Sequence, residues 1–174
     1  MVKRATKPPG WKRRIQGWAA LLGVMLAMTL AVEWFLTRQA IGMAAPPVTA
    51  ATLGGGRFSL QQFHGRPAVV HFWATWCPVC ELEQGMVAAA ARDLPIITVA
   101  MQSGTPEEVR DYLLRQGVDY PVVNDERGWL AAQYGVKAVP ASFILDGEGK
   151  VRFVTRGYTS GWGLRARLWL AGFF

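Results

Sequence analysis

Cysteine and histidine are scarce in this chain of 174 residues, which has two of each. Cys77 and Cys80 are three positions apart, whereas a structural disulfide normally joins distant parts of a chain. A disulfide that closes so short a loop constrains the unfolded state little, so it is a poor staple for the fold. Both histidines precede the cysteines at no spacing typical of zinc sites, and we therefore predict no metal site.

Charge is also scarce: Asp, Glu, Lys and Arg make up 18% of the chain, and hydrophobic residues make up 51%. This composition excludes a disordered or fibrous chain and indicates one globular domain with a membrane segment. The net charge of +7 is concentrated before position 15, in Lys3, Arg4, Lys7, Lys12, Arg13 and Arg14. Because the rest of the chain is nearly neutral, it offers no basic surface for a phosphate backbone, which excludes nucleic acid as a partner.

One long apolar run covers residues 15–36, with Glu33 as its only formal charge. About 20 apolar residues in a helix cross a bilayer, so the run predicts one N-terminal transmembrane helix that anchors the protein. The basic tail, residues 1–14, is expected to stay in the cytoplasm, which places the rest of the chain on the outer side. The alternative is a signal peptide cleaved before Ala45, because Gly42 and Ala44 are small residues of the kind that a signal peptidase needs.

The exported part divides into a Pro- and Ala-rich linker, predicted over residues 37–51, and a folded domain over 52–174. In the domain, apolar runs of strand length alternate with segments of helical composition. This alternation predicts an α/β fold, with a central mixed β-sheet flanked by helices. The predicted strands are 68–73, 96–100, 141–145 and 151–154, and the predicted helices are 78–92, 105–116, 127–134 and 161–170.

The last six residues, 169–174, are unusually apolar and carry no charged side chain. We expect them to pack against the sheet. Contact with a membrane surface or with a partner protein is the alternative.

The two cysteines stand in the segment Trp76-Cys77-Pro78-Val79-Cys80. In a helix, residues i and i+3 lie about 5–6 Å apart on one face, which is within disulfide range. Pro78 fits the first helical turn, which makes Cys77 the N-cap, so its sulfur faces backbone N–H groups that stabilise a thiolate. Cys80, one turn further, is expected to be shielded. The pattern predicts a redox pair in which Cys77 attacks and Cys80 resolves.

The segment from Phe72 to Cys80, which follows a buried strand, resembles the active-site segment of the thioredoxin superfamily. It is most similar to the membrane-anchored TlpA/ResA/DsbE group, and the Pro-Val dipeptide resembles the ScsD-like branch, which is linked to copper tolerance. The resemblance covers roughly residues 48 to 170. It implies a thioredoxin-like fold and the activity of a thiol–disulfide oxidoreductase.

The resemblance also implies substrate-binding residues around the first cysteine. Val139-Pro140 resembles the cis-proline element of the family, which faces Cys77 and offers the backbone of residue 139 to an extended substrate. An ordinary trans proline at the start of a strand is the alternative. Trp76 is expected to shape the surface around Cys77.

Two ionisable residues are implied as partners of the cysteines. Glu83 matches the glutamate that the anchored reductases carry three residues after the second cysteine, where it tunes the thiol pKa values or moves a proton. A solvated helix glutamate is the alternative. His71 stands where many thioredoxins have a buried aspartate, and a neutral imidazole there could relay the proton of Cys80. A core histidine without a chemical role is the alternative.

For function, the resemblance implies reduction of protein disulfides at the bacterial inner membrane, with the catalytic domain facing the periplasm or the cell exterior. The expected electron donor is a DsbD/CcdA-type membrane protein, no cofactor is expected, and the substrates are expected in cytochrome c maturation or in copper and redox stress defence. One alternative is the same site acting as a dithiol oxidase. Another is a Sco-like copper chaperone, although such proteins carry a CxxxC spacing and a distal histidine.

Overall fold

The computed structural model describes residues 11–38 and 40–174. The chain divides into two units, residues 1–39 and residues 40–174. In the first unit, helix α1 runs over Trp11–Arg38. No helix in the described part of the chain is long and apolar enough to cross a membrane. Within the predicted anchor, the side chains of residues 29–30 and 33–36 lie outside the described part of the chain. Most of the predicted basic tail, residues 1–14, also lies outside it.

The second unit begins with a small antiparallel pair, formed by β1, Thr49–Ala51, and β2, Arg57–Ser59. The linker predicted over 37–51 is therefore wrong for its greater part. Val48 is buried in the core, and Gly42 donates its N–H to the carbonyl of Val151. Backbone pairing with a distant strand holds this stretch, and its composition could not reveal such a contact.

The central sheet has five strands in the order β5-β4-β3-β6-β7. Neighbours β3, β4 and β5 are parallel, whereas β6 is antiparallel to both β3 and β7, which confirms the predicted mixed sheet. Every residue of β3 and of β4 is buried, as the continuous apolar runs predict. The bounds are Ala68–Trp73 for β3, Ile96–Met101 for β4, Val122–Asp125 for β5, Ala141–Leu145 for β6 and Val151–Arg156 for β7.

Four helices flank this sheet, and local sequence signals set most of their ends. Helix α3 begins after Thr105, which forms a capping box with Glu108, and it ends at Gly117, whose φ of 63° suits glycine. Helix α4 is shorter than the predicted 127–134, because Gly128 caps it from a left-handed conformation. The bounds are Pro78–Ala91 for α2, Pro106–Gln116 for α3, Trp129–Gln133 for α4 and Gly161–Ala171 for α5.

Helix α5 buries one apolar face and also exposes several large apolar side chains. The inner face packs into the core through Leu164, Leu168 and Ala171. Of the stretch 169–174, which the sequence predicts to pack against the sheet, only Ala171 is buried, so that prediction is wrong for most of the stretch. The outer face is exposed and carries large side chains, namely Trp162, Trp169 and, just beyond the helix, Phe173 and Phe174. The inner face supplies the contacts of this helix with the apolar core, and Arg165 adds an ion pair with Asp93 at 3.0 Å.

Candidate active site

Cys77 lies between the end of β3 and the start of α2, at the carboxyl edge of the sheet. It is the N-cap of α2, as predicted, with extended backbone angles of φ −101° and ψ 106°. Its sulfur accepts a hydrogen bond from the backbone N–H of Cys80 at 3.1 Å. A sulfur in this position receives both a direct donor and the positive end of the helix, and both stabilise a thiolate in the reduced state.

The two cysteines form a disulfide, with their Cα atoms 5.3 Å apart. Cys80 keeps 1% of its surface exposed and Cys77 keeps 5%, so the second sulfur is shielded as predicted. Trp76 and Val79, which flank Cys77, are 57% and 40% exposed. The disulfide thus lies just beneath a small apolar surface, and Cys77 is its more accessible end.

The loop before β6 lies against the first cysteine. The carbonyl oxygen of Val139 is 3.6 Å from the Sγ of Cys77. The Val139-Pro140 peptide bond is cis, which agrees with the implied cis-proline element and excludes the trans alternative. The fold therefore brings Val139, Pro140 and Cys77 together across 62 positions of the sequence.

The loop after β4, which no sequence pattern indicated, supports the other side of the disulfide. The indole N–H of Trp76 donates to the carbonyl of Gln102 at 3.0 Å, and the N–H of Thr75 donates to the Oγ of Ser103 at 3.1 Å. Gln102 has a positive φ of 47°, which is uncommon for a residue other than glycine. The parallel pairing of β3 with β4 is the signal that could have found it, because the carboxyl ends of parallel strands meet at one edge.

Glu83 and His71 form a buried polar pair. Glu83 is 1% exposed, which excludes the solvated alternative, and it lies on α2 one turn after Cys80. Its Oε1 is 3.4 Å from the Nε2 of His71, on β3. Its Oε2 accepts the backbone N–H of Thr159 at 3.1 Å, and the Nδ1 of His71 is 2.9 Å from the Oγ of Ser142.

Burial shifts both groups of this pair toward their neutral forms. Burial raises the pKa of Glu83 to about 7, although the N–H of Thr159 acts in the opposite direction. Burial also lowers the pKa of His71 to about 4. At neutral pH the imidazole is therefore uncharged, and the carboxyl group is poised between its two states. A carboxyl group that titrates near neutral pH is suited to accept and return a proton.

The disulfide lies apart from a large groove on the surface of this unit. This groove, of about 740 Å³, is formed by the segment 52–54, the end of α2, and α3 with the loop that follows it. None of the predicted site residues lines it. A shallow apolar surface around a reactive sulfur suits a protein segment better than an enclosed small molecule.

Comparison with known proteins agrees with this geometry. A family profile described as the AhpC/TSA family matches residues 41–154. The chain belongs to the AhpC/TSA family. A thioredoxin-like protein of Haemophilus influenzae is 30% identical over 165 residues, which make up 94% of this chain and 98% of that protein. A thiol:disulfide interchange protein DsbE homolog of Paracoccus denitrificans is 33% identical, over 79% of this chain and 73% of its own length.

Solved structures within this thioredoxin-like family share the fold. That of MTB DsbF, in its mixed oxidised and reduced forms, is 30% identical with a TM-score of 0.63. The match covers 71% of this chain and 94% of that one. The protein is thus a thiol–disulfide oxidoreductase of the DsbE/ResA type, with its CxxC pair at Cys77 and Cys80.

Proposed function

We propose that this AhpC/TSA-family protein reduces disulfides in other proteins outside the cytoplasm, while an N-terminal helix tethers it to the bacterial inner membrane. The observation that carries the proposal is the sulfur cap of α2, in which the N–H of Cys80 donates to the Sγ of Cys77. This cap favours the thiolate that attacks a disulfide, and we propose the direction, reduction, from the similarity to proteins of the DsbE/ResA type. The substrates we propose are proteins of cytochrome c maturation or of copper and redox stress defence.

In the first step, the thiolate of Cys77 attacks one sulfur of a substrate disulfide. A mixed disulfide forms, and the other substrate sulfur leaves as a thiolate that takes a proton from solvent. The backbone of Val139 is proposed to pair with the substrate chain beside this sulfur, and Pro140 holds that backbone in place. Trp76 is proposed to supply the apolar surface on which the substrate rests, because it is exposed and its indole is held by Gln102.

In the second step, the thiol of Cys80 transfers its proton to Glu83 and the new thiolate attacks the sulfur of Cys77. The second substrate sulfur leaves, so the substrate has gained two electrons and the enzyme pair has lost two. Support for Glu83 as the base comes from its burial one helical turn after Cys80 and from its pKa of about 7. A dithiol in a DsbD/CcdA-type membrane protein would then reduce the Cys77–Cys80 disulfide and restart the cycle.

His71 is proposed as a positioning residue for Glu83. Its ring is anchored by Ser142 through Nδ1, so Nε2 faces the carboxyl oxygen at a fixed place. An uncharged imidazole leaves the carboxyl group without a cation beside it, and this keeps the pKa of Glu83 high.

The direction of electron flow is tested by the equilibrium potential of the Cys77–Cys80 pair against glutathione. We expect a value near −270 mV, as in thioredoxin-type reductants, and a value near −120 mV would instead indicate a dithiol oxidase. Reduction of insulin disulfides in the presence of dithiothreitol provides the matching activity assay. Cys77→Ser is expected to abolish that activity, and the parent protein serves as the control.

The tether is tested by extraction of membranes from cells that express the full chain. The apolar run 15–36 and the basic residues before it support an anchor with its N-terminus in the cytoplasm. We expect the protein to stay in the membrane fraction after alkaline carbonate treatment, and a reporter fused after Phe174 to be active only outside the cytoplasm. Recovery of a soluble form that begins near Ala45 would show a cleaved signal peptide instead.

A further inference from the structure

Large apolar side chains, three of them aromatic, stay exposed at the end of α5. We define this aromatic end as Trp169, Leu170, Phe173 and Phe174, which are 66%, 42%, 69% and 65% exposed. Trp169 and Phe173 contact each other edge to face, with ring centroids 4.6 Å apart. Monomeric soluble domains rarely expose a contiguous apolar patch of this kind unless it meets a partner or a membrane.

The register of the sheet places the aromatic end opposite the disulfide. Ala68, the first residue of β3, pairs with Leu145 of β6, which in turn pairs with Val151 of β7. Gly172 lies beside Pro67, the residue before β3, and the guanidinium of Arg152 lies 4.5 Å from the ring centroid of Phe174. Cys77, by contrast, follows the other end of β3, which at about 3.3 Å per residue is roughly 20 Å away.

The N-terminal segment joins the domain at this same end. Gly42 donates its N–H to the carbonyl of Val151 at 2.7 Å, and Val151 donates its N–H to the carbonyl of Met43 at 2.9 Å. Only residues 37–41 separate the proposed anchor, 15–36, from this attachment. Five residues, even fully extended, span about 17 Å, so a tether through 15–36 holds the attachment end of the domain at the membrane surface.

We propose that the aromatic end rests in the headgroup layer of the membrane. Tryptophan is enriched in this layer, where its ring is buried and its indole N–H stays wet. Phenylalanine and leucine accompany it on the buried face of helices that lie in the interface. The proposal rests on the tether described above. Its consequence is an orientation: the disulfide is held away from the lipid and faces the compartment in which its protein substrates move.

The test uses the full chain reconstituted in phosphatidylcholine vesicles, with lipids that carry quenching bromine atoms either near the headgroup or deep in the acyl chain. Trp169→Phe removes one fluorophore and keeps the surface apolar. Trp129→Phe is the matched control, because Trp129 is also 66% exposed but lies on α4. The emission of each tryptophan is obtained as the parent signal minus that of its variant.

We expect the emission of Trp169 to be largely lost with shallow-brominated lipid and less affected by the deep-brominated lipid, while that of Trp129 is unchanged. In a Phe173→Asp, Phe174→Asp background, the emission of Trp169 should return. Equal emission of Trp169 in brominated and plain vesicles would overturn the proposal.

Two further readouts separate this proposal from those on which it rests. Sedimentation of all variants with the vesicles reports the tether, and a chain that stays in solution would overturn the tether and the surface contact together. Insulin reduction reports the redox function, and we expect it to be the same in the parent and in both tryptophan variants. Full sedimentation and full activity with an unquenched Trp169 would overturn the surface contact alone.

Discussion

The Nε2 of His71 lies 3.4 Å from the Oε1 of Glu83, and both side chains are buried. That carboxyl oxygen has no hydrogen-bond partner among the described residues. Because burial lowers the pKa of His71 to about 4 and raises that of Glu83 to about 7, the pair is uncharged between these values. The two groups therefore act on stability in opposite directions as the pH changes.

Glu83→Gln is expected to change the pH dependence of the free energy of unfolding. The folded-state pKa of Glu83, about 7, lies above its ordinary value of 4.5. As the pH rises from 4.5 to 7, the unfolded chain therefore releases this proton before the folded protein does, and the free energy of unfolding of the parent falls. The variant lacks that loss and should gain about 3 kcal/mol relative to the parent over this range. Denaturant titrations of the oxidised parent and variant at several pH values measure this difference in the free energy of unfolding.

His71→Asn is the counterpart of that variant and should give the opposite sign. The folded-state pKa of His71 lies below its ordinary 6.5, so its contribution to stability is present above pH 6.5 and is lost as the pH falls to 4. The variant lacks this contribution, so its free energy of unfolding should fall relative to that of the parent as the pH rises from 4 to 6.5. Shifts of the same sign in both variants would contradict the assigned protonation states.

The kinetics of the second thiol step should show the titration of Glu83. When the reduced protein reacts with a coloured aromatic disulfide, attack by Cys77 releases one thiolate and resolution by Cys80 releases another. The rate of the second release should rise with pH through about 7 in the parent, because only ionised Glu83 accepts the proton of Cys80. Glu83→Gln should slow this release about 100-fold and remove the inflection.

The matched control for this experiment is Glu81→Gln, because Glu81 lies on the same helix but is exposed. It should leave both releases unchanged, and Glu83→Gln should leave the first release nearly unchanged. An inflection that persists in Glu83→Gln would assign the proton acceptance to another group.

Trp76→Phe tests the proposed substrate surface. The variant loses the hydrogen bond to Gln102 and part of an exposed apolar surface, while the disulfide and its buried neighbours stay in place. KM for a protein substrate should therefore rise, and the rate with a small aromatic disulfide should stay close to that of the parent. Trp129→Phe is the control, and an equal effect of the two variants on KM would contradict a role of Trp76 in binding.

Thr105→Ala tests a helix cap that we expect to contribute to stability and not to activity. It removes the side chain that caps α3 through the N–H of Glu108, so the free energy of unfolding should fall by about 1 kcal/mol. Insulin reduction at moderate temperature should be unaffected, because α3 carries no proposed site residue. A loss of activity without a loss of stability would contradict this separation.

Local sequence signals predicted the parts of the structure that depend on neighbours along the chain. Cys77 as N-cap, the capping box at Thr105 and the buried strand before Trp73 all follow from a few adjacent residues. The prediction of a linker over 37–51 is wrong for its greater part, because Gly42 and Val48 are held by partners that are distant in the sequence. The family resemblance suggested His71 and Glu83 separately, but their 3.4 Å approach depends on how α2 packs on β3, and no local pattern reports it.

The central claim is that Cys77 attacks the substrate and Cys80 resolves the mixed disulfide. Its most direct test is to expose Cys80→Ser and Cys77→Ser, each reduced, to a disulfide-bonded protein substrate, and to separate the products by non-reducing electrophoresis and mass spectrometry. Cys80→Ser should accumulate a mixed disulfide through Cys77, because the resolving thiol is absent, whereas Cys77→Ser should accumulate none. Accumulation of a mixed disulfide through Cys80 in Cys77→Ser, with none in Cys80→Ser, would contradict the account.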